Sequence, residues 1–250
     1  MKKQFQILAA TFITVAFISC SKEKIETNEA GNSGEIATAI NSKNPGAGVG
    51  TLNKGLLGRF EFNGTLKDTT GHLADGVSTI DRVLYTRDRK GAANRAIRFN
   101  EAYGVNIFNV PLDTNMSVSV WVQYDILAVD FQLPFVEGSQ SFSLSQFENS
   151  YQGAYWNGIS GQYVTSGPIN NLWHHLVATR DGISLKFYID GNFIGSAPSP
   201  SGSGPYIPTN DYVIGYGYNN GYKYWKGNMD DLRIYKRVLS TVEVNNLANL

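Results

Sequence analysis

The stretch from Trp173 to Ser196, WHHLVATRDGISLKFYIDGNFIGS, constrains the fold more than any other part of the sequence. Apolar and polar residues are interleaved along it, and an aspartate followed by a glycine interrupts the pattern twice, at Asp181-Gly182 and at Asp190-Gly191. Two-residue periodicity is typical of β-strands, and Asp-Gly is a strong signal for the tight turn between two strands. The stretch therefore predicts a meander of three antiparallel strands.

His174 and His175 are adjacent in the first of these strands, where they raise the question of a metal or catalytic site. Successive side chains of a strand point to opposite faces, so the two imidazoles cannot bind one ion together. We predict that both histidines are structural and that their ring nitrogens bond to nearby backbone or carboxylate groups.

Composition and patterning extend this prediction to the whole of residues 54–250. Glycine and tyrosine are abundant, at 26 and 14 residues, and segments such as MSVSVWVQY alternate in the manner of strands. We predict an all-β domain, a two-sheet antiparallel β-sandwich with one short C-terminal helix. That helix should begin after Ser240, which forms a capping box with Glu243. The formal net charge of zero gives no basic surface for nucleic acid.

The N-terminal segment has the features of a bacterial export signal. Lys2 and Lys3 precede an apolar stretch that ends in FISC, which resembles a lipobox, and Cys20 is the only cysteine. We predict a lipoprotein signal peptide at residues 1–20, lipidation of Cys20 and a flexible polar tether at residues 21–53. An ordinary secretory signal is the alternative. The expected location is the outer membrane, on its periplasmic or its surface side, with membrane contact through the lipid alone.

Several segments, in order, resemble the laminin G-like (LamG) jelly rolls of the concanavalin A-like lectin/glucanase superfamily. They are FEFNGTLKDTTG, AIRFNEAYGVNI, SVSVWV, the WHH…YIDG meander, YVIG and KGNMDDLRIYKRVLSTVEV. The resemblance implies a jelly roll whose first and last strands are adjacent, and it places Trp225 in the core. It also implies a structural Ca²⁺ where those strands meet, with Asn63 and Asp230 as candidate ligands.

Two classes of function are compatible with such a fold. The E-x-D-x-x-E pattern of laminarinase-type enzymes is absent, and the histidines do not lie in an alginate-lyase context, so glycoside hydrolysis or polysaccharide cleavage is the weaker alternative. Sugars bind to aromatic rings flanked by amides, and two segments offer both, SYQGAYWNG and GYGYNNGYKYW. The candidate carbohydrate-binding residues are Tyr155, Trp156, Asn157, Tyr216, Tyr218 and Tyr222. Trp121 and Trp173 are expected in the core.

We therefore expect a non-catalytic, lectin-like domain that binds a glycan or polysaccharide for capture or adhesion. A module that binds a surface protein is the other reading, because aromatic, Asn-rich loops suit both kinds of partner.

Overall fold

The computed structural model describes residues 49–111, 113–125, 132–138, 142–156, 161–198, 211–218 and 222–250. Within these ranges the chain forms a short 3-10 helix at Val49–Thr51, one α-helix, α1, at Thr241–Ala248, and a series of strands. The strands are β1 (Leu56–Phe60), β2 (Val77–Ser78), β3 (Tyr85–Thr86), β4 (Ala96–Asn100), β5 (Val105–Ile107), β6 (Asn115–Tyr124), β7 (Gln132–Gly138), β8 (Phe142–Phe147), β9 (Ser150–Trp156), β10 (Gly161–Pro168), β11 (His174–Asp181), β12 (Ser184–Ile189), β13 (Asn192–Pro198), β14 (Tyr212–Ile214), β15 (Tyr216–Tyr218), β16 (Tyr222–Tyr224) and β17 (Lys226–Tyr235). No helix among the described residues is both long enough and apolar enough to cross a membrane.

The strands form two large antiparallel sheets, which confirms the predicted fold class. The eight-stranded sheet has the order β13-β12-β11-β6-β17-β4-β3, and β1 also pairs with β17. The seven-stranded sheet has the order β10-β9-β8-β7-β14-β5-β2, and β15 and β16 form a separate hairpin. The predicted meander is β11, β12 and β13, and the pairing of β1 with β17 makes the first and last strands neighbours.

One apolar core joins the two sheets because each strand turns every second side chain inward. Val118, Val120 and Val122 of β6 are fully buried in this core together with Leu144 of the other sheet. Gly153 of β9 lies where the sheets approach closely, and a Cβ there would come within 2.9 Å of the Phe187 ring. The sandwich therefore excludes any side chain at this position without a shift of one sheet.

A smaller apolar cluster covers part of the outer face of the eight-stranded sheet. There α1 packs Val244 and Leu247 with Tyr188 and with Leu52. The predicted capping box is present, because Ser240 accepts a hydrogen bond from the Glu243 backbone and the Glu243 side chain accepts one from the Ser240 backbone. Leu52 is 3% exposed, so the folded part begins slightly before the predicted boundary at residue 54. The predicted signal peptide lies outside the described residues, as does the predicted tether up to residue 48.

A β-bulge in β17 gathers a set of charges on the same outer face. Met229 and Leu232 both point into the core, which strict alternation forbids, and Asp231 takes up the extra residue with a φ of 45°. Asp231 Oδ1 accepts hydrogen bonds from Arg59 Nε at 3.1 Å and Arg233 Nε at 3.0 Å. Burial alone would raise the pKa of Asp231, but its bonds to Arg233 and Arg59 outweigh burial and lower that pKa below its usual value.

Replacing Asp231 by Asn should destabilise the fold by about 3–5 kcal/mol, because the buried Arg233 would lose its charge partner. Asparagine tolerates the positive φ, so the loss reports on charge rather than on backbone strain. The lowered pKa of Asp231 means that its contribution is complete above about pH 4 and disappears as the pH falls through the folded-state value. The free energy of unfolding in urea, measured from pH 7 to pH 3, should therefore show the two proteins converging on acidification.

Asp125→Asn is the matched control, because Asp125 forms an ion pair with Arg98 at a more exposed position and its loss should cost at most about 1 kcal/mol. Equal losses for the two substitutions would contradict the role given to the buried cluster.

Candidate functional site

The two adjacent histidines belong to the scaffold, as predicted. His174 Nδ1 lies 2.7 Å from Asp190 Oδ2, and His174 Nε2 lies 3.1 Å from Asn170 Oδ1. His175 Nε2 lies 2.8 Å from Ser119 Oγ on the neighbouring strand. Burial lowers the pKa of His175 to about 3, so this ring is neutral and ties β11 to β6.

The solvent-facing side of the seven-stranded sheet is the strongest candidate for a recognition surface. One continuous line of cross-strand partners crosses all seven strands, and we call it the cross-sheet row. Its members are Val77, Asn106, Val213, Glu137, Ser143, Ala154 and Tyr163. Their chain neighbours Val105, Ile214, Val136 and Leu144 are buried in the core, so the row belongs to the opposite face of the sheet.

The row exposes a large side chain at each end, and the two strands that follow Tyr163 along it contribute small residues. Tyr163 is 65% exposed and Val77 is 50% exposed, whereas Ser143 and Ala154 are half-buried. Two residues along each strand, the buried Gln152 donates from Nε2 to Thr165 Oγ1 at 2.9 Å, and Thr165 itself is exposed on the same face as Tyr163. Tyr163 was missed by sequence reasoning, although its alternation with the core-facing Val164 was the signal that could have found it.

The first predicted aromatic group divides between core and surface. Tyr155 is 7% exposed, and the Arg180 guanidinium lies 3.9 Å from its ring centre, so the expectation that this ring stacks on a sugar was wrong. Tyr155 directly follows Ala154 of the row in the same strand, so its side chain points to the opposite face, toward the core. Trp156 ends β9 and pairs with Gly161, two residues along from Ala154, but its side chain lies outside the described residues. Asn157 lies outside them altogether.

The second predicted group forms the β15–β16 hairpin. Tyr216 is 9% exposed, its ring is stacked on Tyr224 at 5.6 Å, and its hydroxyl donates to Asn106 Oδ1 at 2.5 Å. Tyr216 is therefore not a free platform, contrary to expectation, but it joins the hairpin to the cross-sheet row. Tyr218 and Tyr222 pair with each other in the hairpin, and their side chains lie outside the described residues.

The four tryptophans were only partly predicted. Trp225 is fully buried and donates to Gln146 Oε1 at 3.2 Å, which confirms its place in the core. Trp121 and Trp173 are half-buried and line a cleft on the outer side of the molecule, so their expected place in the core was wrong. Trp121 alternates with the inward-facing Val120 and Val122, which puts it on the outer face.

The two candidate calcium ligands have other partners. Asn63 is exposed, and its Nδ2 donates to Glu61 Oε2 at 3.0 Å. Asp230 is buried and forms an ion pair with Arg89, and burial raises its pKa to about 6 although Arg89 opposes that shift. Among the residues that the structure describes, no group of three or more His, Cys, Asp or Glu side chains could hold a metal ion. Arginines already balance the carboxylates where β1 meets β17, and the calcium site stays a prediction.

A chelator tests that prediction. If the ion pair with Arg89 takes the place of a metal at Asp230, the melting temperature will be the same with EDTA as with added Ca²⁺. A lower melting temperature in EDTA that Asp230→Asn abolishes would instead place a stabilising ion at this position.

Comparison with known proteins agrees with this architecture. The sequence profile described as the concanavalin A-like lectin/glucanases superfamily, in its laminin G form, matches residues 99–245. A comparison with curated proteins finds no match.

Several solved structures share the fold. Domain 4 of AbnA, a GH43 extracellular arabinanase from Geobacillus stearothermophilus, solved in complex with arabinotriose, is 22% identical with a TM-score of 0.63, over 77% of this chain and 98% of that one. A structure of botulinum neurotoxin type C, whose cell entry depends on interaction with two ganglioside molecules, is 14% identical with a TM-score of 0.65, over 80% of this chain and 52% of that one. The binding domain of Paraclostridial Mosquitocidal Protein 1 is 15% identical with a TM-score of 0.63, over 78% and 52%.

This chain therefore spans about half the length of the two toxin structures, and at these identities the likeness concerns the fold alone. The family match extends over more than half of the chain and agrees with the observed sheets. The chain belongs to the concanavalin A-like lectin/glucanases superfamily.

Proposed function

We propose that this domain binds a glycan, without cleaving it, on the solvent-facing side of its seven-stranded sheet. The observation that carries the proposal is the cross-sheet row, in which the exposed Tyr163 lies beside small and polar residues. A pyranose presents an apolar C–H face and a rim of hydroxyls, so it matches an aromatic ring flanked by hydroxyl and amide groups.

The row suits an extended ligand. It crosses seven strands that are spaced about 4.8 Å apart, so a chain of several sugar units could lie along it. The small residues Ala154 and Ser143 follow Tyr163 along the row, so a ligand stacked on Tyr163 would extend over them. Trp156, two residues beyond Ala154 in β9, stays a candidate contact, as do Tyr218 and Tyr222 on the hairpin that Tyr216 joins to Asn106.

Carbohydrate binding by related folds supports this proposal. The arabinanase domain was solved with arabinotriose, and the neurotoxin depends on gangliosides, so two structures with this fold engage sugars of very different kinds. Fold likeness alone does not transfer a ligand, and the argument for this chain therefore rests on the row.

The absence of catalysis is part of the proposal. Glycoside hydrolysis by the common route uses two carboxyl groups, about 5 Å apart in retaining enzymes and up to about 9.5 Å in inverting ones. Glu137 is the one carboxylate position in the row, and its cross-strand partners are Val213 and Ser143. Release of reducing ends from any polysaccharide that binds would contradict the non-catalytic assignment.

Tyr163→Ala and Trp156→Ala should each weaken glycan binding by about tenfold, because a stacking ring contributes on the order of 1 kcal/mol beyond its buried area. A glycan array on the full-length protein identifies the ligand, and isothermal titration then gives the affinity of each variant. Ile183→Ala is the matched control, because Ile183 is 79% exposed at the turn between β11 and β12 of the other sheet.

If both Tyr163→Ala and Trp156→Ala bind the glycan with wild-type affinity, the row is not part of the binding site. Binding to no glycan, together with capture of one defined surface protein, would favour the adhesion module instead.

We also propose that Cys20 anchors the domain to the outer membrane as a lipoprotein and that residues 21–53 act largely as its tether. The lipobox-like FISC sequence and the position of the only cysteine support this. Cys20→Ser should therefore move the protein from the membrane fraction to the soluble periplasmic fraction, and metabolic labelling with a fatty-acid analogue should mark only the wild type. A variant that stays with the membrane would contradict lipid anchoring through this residue.

A further inference from the structure

The outer face of the eight-stranded sheet carries an open cleft beside the end of α1. This indole cleft has a volume of about 370 Å³, near the lower end of the range of about 300–1,000 Å³ that is usual for small-molecule sites. It is lined by Arg89, Lys90, Trp121, Trp173 and the final residues Ala248, Asn249 and Leu250. It lies on the other sheet from the cross-sheet row, so it forms a separate surface.

The floor of the cleft is a rigid indole. The Trp121 ring packs on the buried imidazole of His175, with ring centres 5.1 Å apart, and Ser119 holds that imidazole from β6. Because His175 stays neutral, the floor is an uncharged aromatic surface over the whole physiological pH range. Trp173 precedes β11 directly and places a second indole at the same cleft.

Arg89 is held over this floor and covers part of the Trp121 ring. Its guanidinium carbon lies 5.0 Å from the centre of the Trp121 ring, and its nitrogens contact Asp230 and, at 3.7 Å, Asp231. The β3–β4 turn that carries Arg89 is fixed by Asp88, whose Oδ1 accepts from the backbone of Lys90 at 2.9 Å and of Ala92 at 2.8 Å. The cationic wall is therefore preorganised, which lowers the entropic cost of binding.

Lys90 gives the cleft its excess charge. The charge of Arg89 is balanced by Asp230, but Lys90 is exposed and forms no ion pair with any residue that the structure describes. Both charged side chains that line the cleft are cationic, and no carboxylate side chain lines it. An indole packs on the C–H face of a sugar, and a lysine ammonium donates charge-assisted hydrogen bonds to an anionic oxygen.

We propose that the indole cleft is a second saccharide site and that it binds a sugar unit bearing a carboxylate. The pyranose ring packs on Trp173, beside the Trp121 ring that Arg89 partly covers, and its carboxylate points to Lys90 at the mouth. This inference does not depend on the cross-sheet row, because the two surfaces use different residues on different sheets.

The test uses the full-length protein with two matched probes, a trisaccharide of galacturonic acid and a neutral trisaccharide of galactose. Titration calorimetry at low salt should show that the wild type prefers the uronate by about threefold or more, as expected for one partly exposed charge pair. Trp173→Ala should weaken uronate binding by about tenfold, and Trp173→Phe, which keeps a ring, should retain most of it.

Lys90→Gln should remove the preference for the uronate over the neutral sugar, because the amide keeps the size of the side chain and loses its charge. Raised salt should weaken uronate binding by the wild type and leave that of Lys90→Gln nearly unchanged. Ile183→Ala is the neutral control and should bind the uronate like the wild type. Tyr163→Ala reports any share of the binding that belongs to the cross-sheet row, so failure of the row and failure of the cleft give different results.

Three outcomes would overturn the proposal. One is no uronate binding by the wild type at millimolar concentration. Another is uronate binding that neither Trp173→Ala nor Lys90→Gln changes. The third is loss of uronate binding in Tyr163→Ala alone, which would move the ligand to the seven-stranded sheet.

Discussion

The alternation of side chains along each strand is the constraint on which the rest of this structure depends. Each strand gives every second residue to one shared core, so the intervening residues must lie on the outer face of their sheet. Val136 and Leu144 are buried for this reason, and Glu137 and Ser143 between them belong to the cross-sheet row. Packing of the core therefore determines which residues of each strand lie on the outer face of its sheet.

The two outer faces differ because different elements cover them. On the eight-stranded sheet, α1 and the first folded residues bury Tyr188 and Val177, and the indole cleft lies beside the end of the helix. Asp230 and Asp231 on this face are paired with arginines, because the bulge at Asp231 turns two successive aspartates toward them. On the seven-stranded sheet, the cross-sheet row runs from strand edge to strand edge and presents polar groups with an exposed ring. Both surfaces proposed for recognition, the cross-sheet row and the indole cleft, therefore lie on outer faces of the sheets.

Local sequence signals predicted much of this architecture. The Asp-Gly turns of the meander, the capping box of Ser240 and Glu243 and the burial of Trp225 all follow from short-range chemistry or from the family resemblance, and the structure agrees with each of them. The pairing of β1 with β17 joins distant parts of the chain, and it was available only because the resemblance supplied the topology.

The side on which each aromatic residue lies was harder to predict. Tyr155 and Tyr216 have loop-like, glycine-rich neighbours, yet register and cross-strand contacts bury both rings. Trp121 was assigned to the core because its strand is apolar, whereas its parity places it outside with His175. The face on which a side chain lies changes at each bulge, such as the one at Asp231. A bulge depends on tertiary packing, which cannot be read from a short stretch of sequence. Tyr163 is a different case, because its alternation with the core-facing Val164 was present in the sequence.

The most direct test of the central claim maps the ligand onto the protein. Backbone amide resonances of the full-length protein are assigned by NMR and followed during titration with a glycan that the array identifies. We predict the largest shifts at Asn106, Ser143, Ala154 and Tyr163, which lie on four strands but on one row. Saturable shifts that avoid this row and cluster instead on the edge strand β13 or on the turns of the eight-stranded sheet would contradict the claim that the seven-stranded sheet carries recognition.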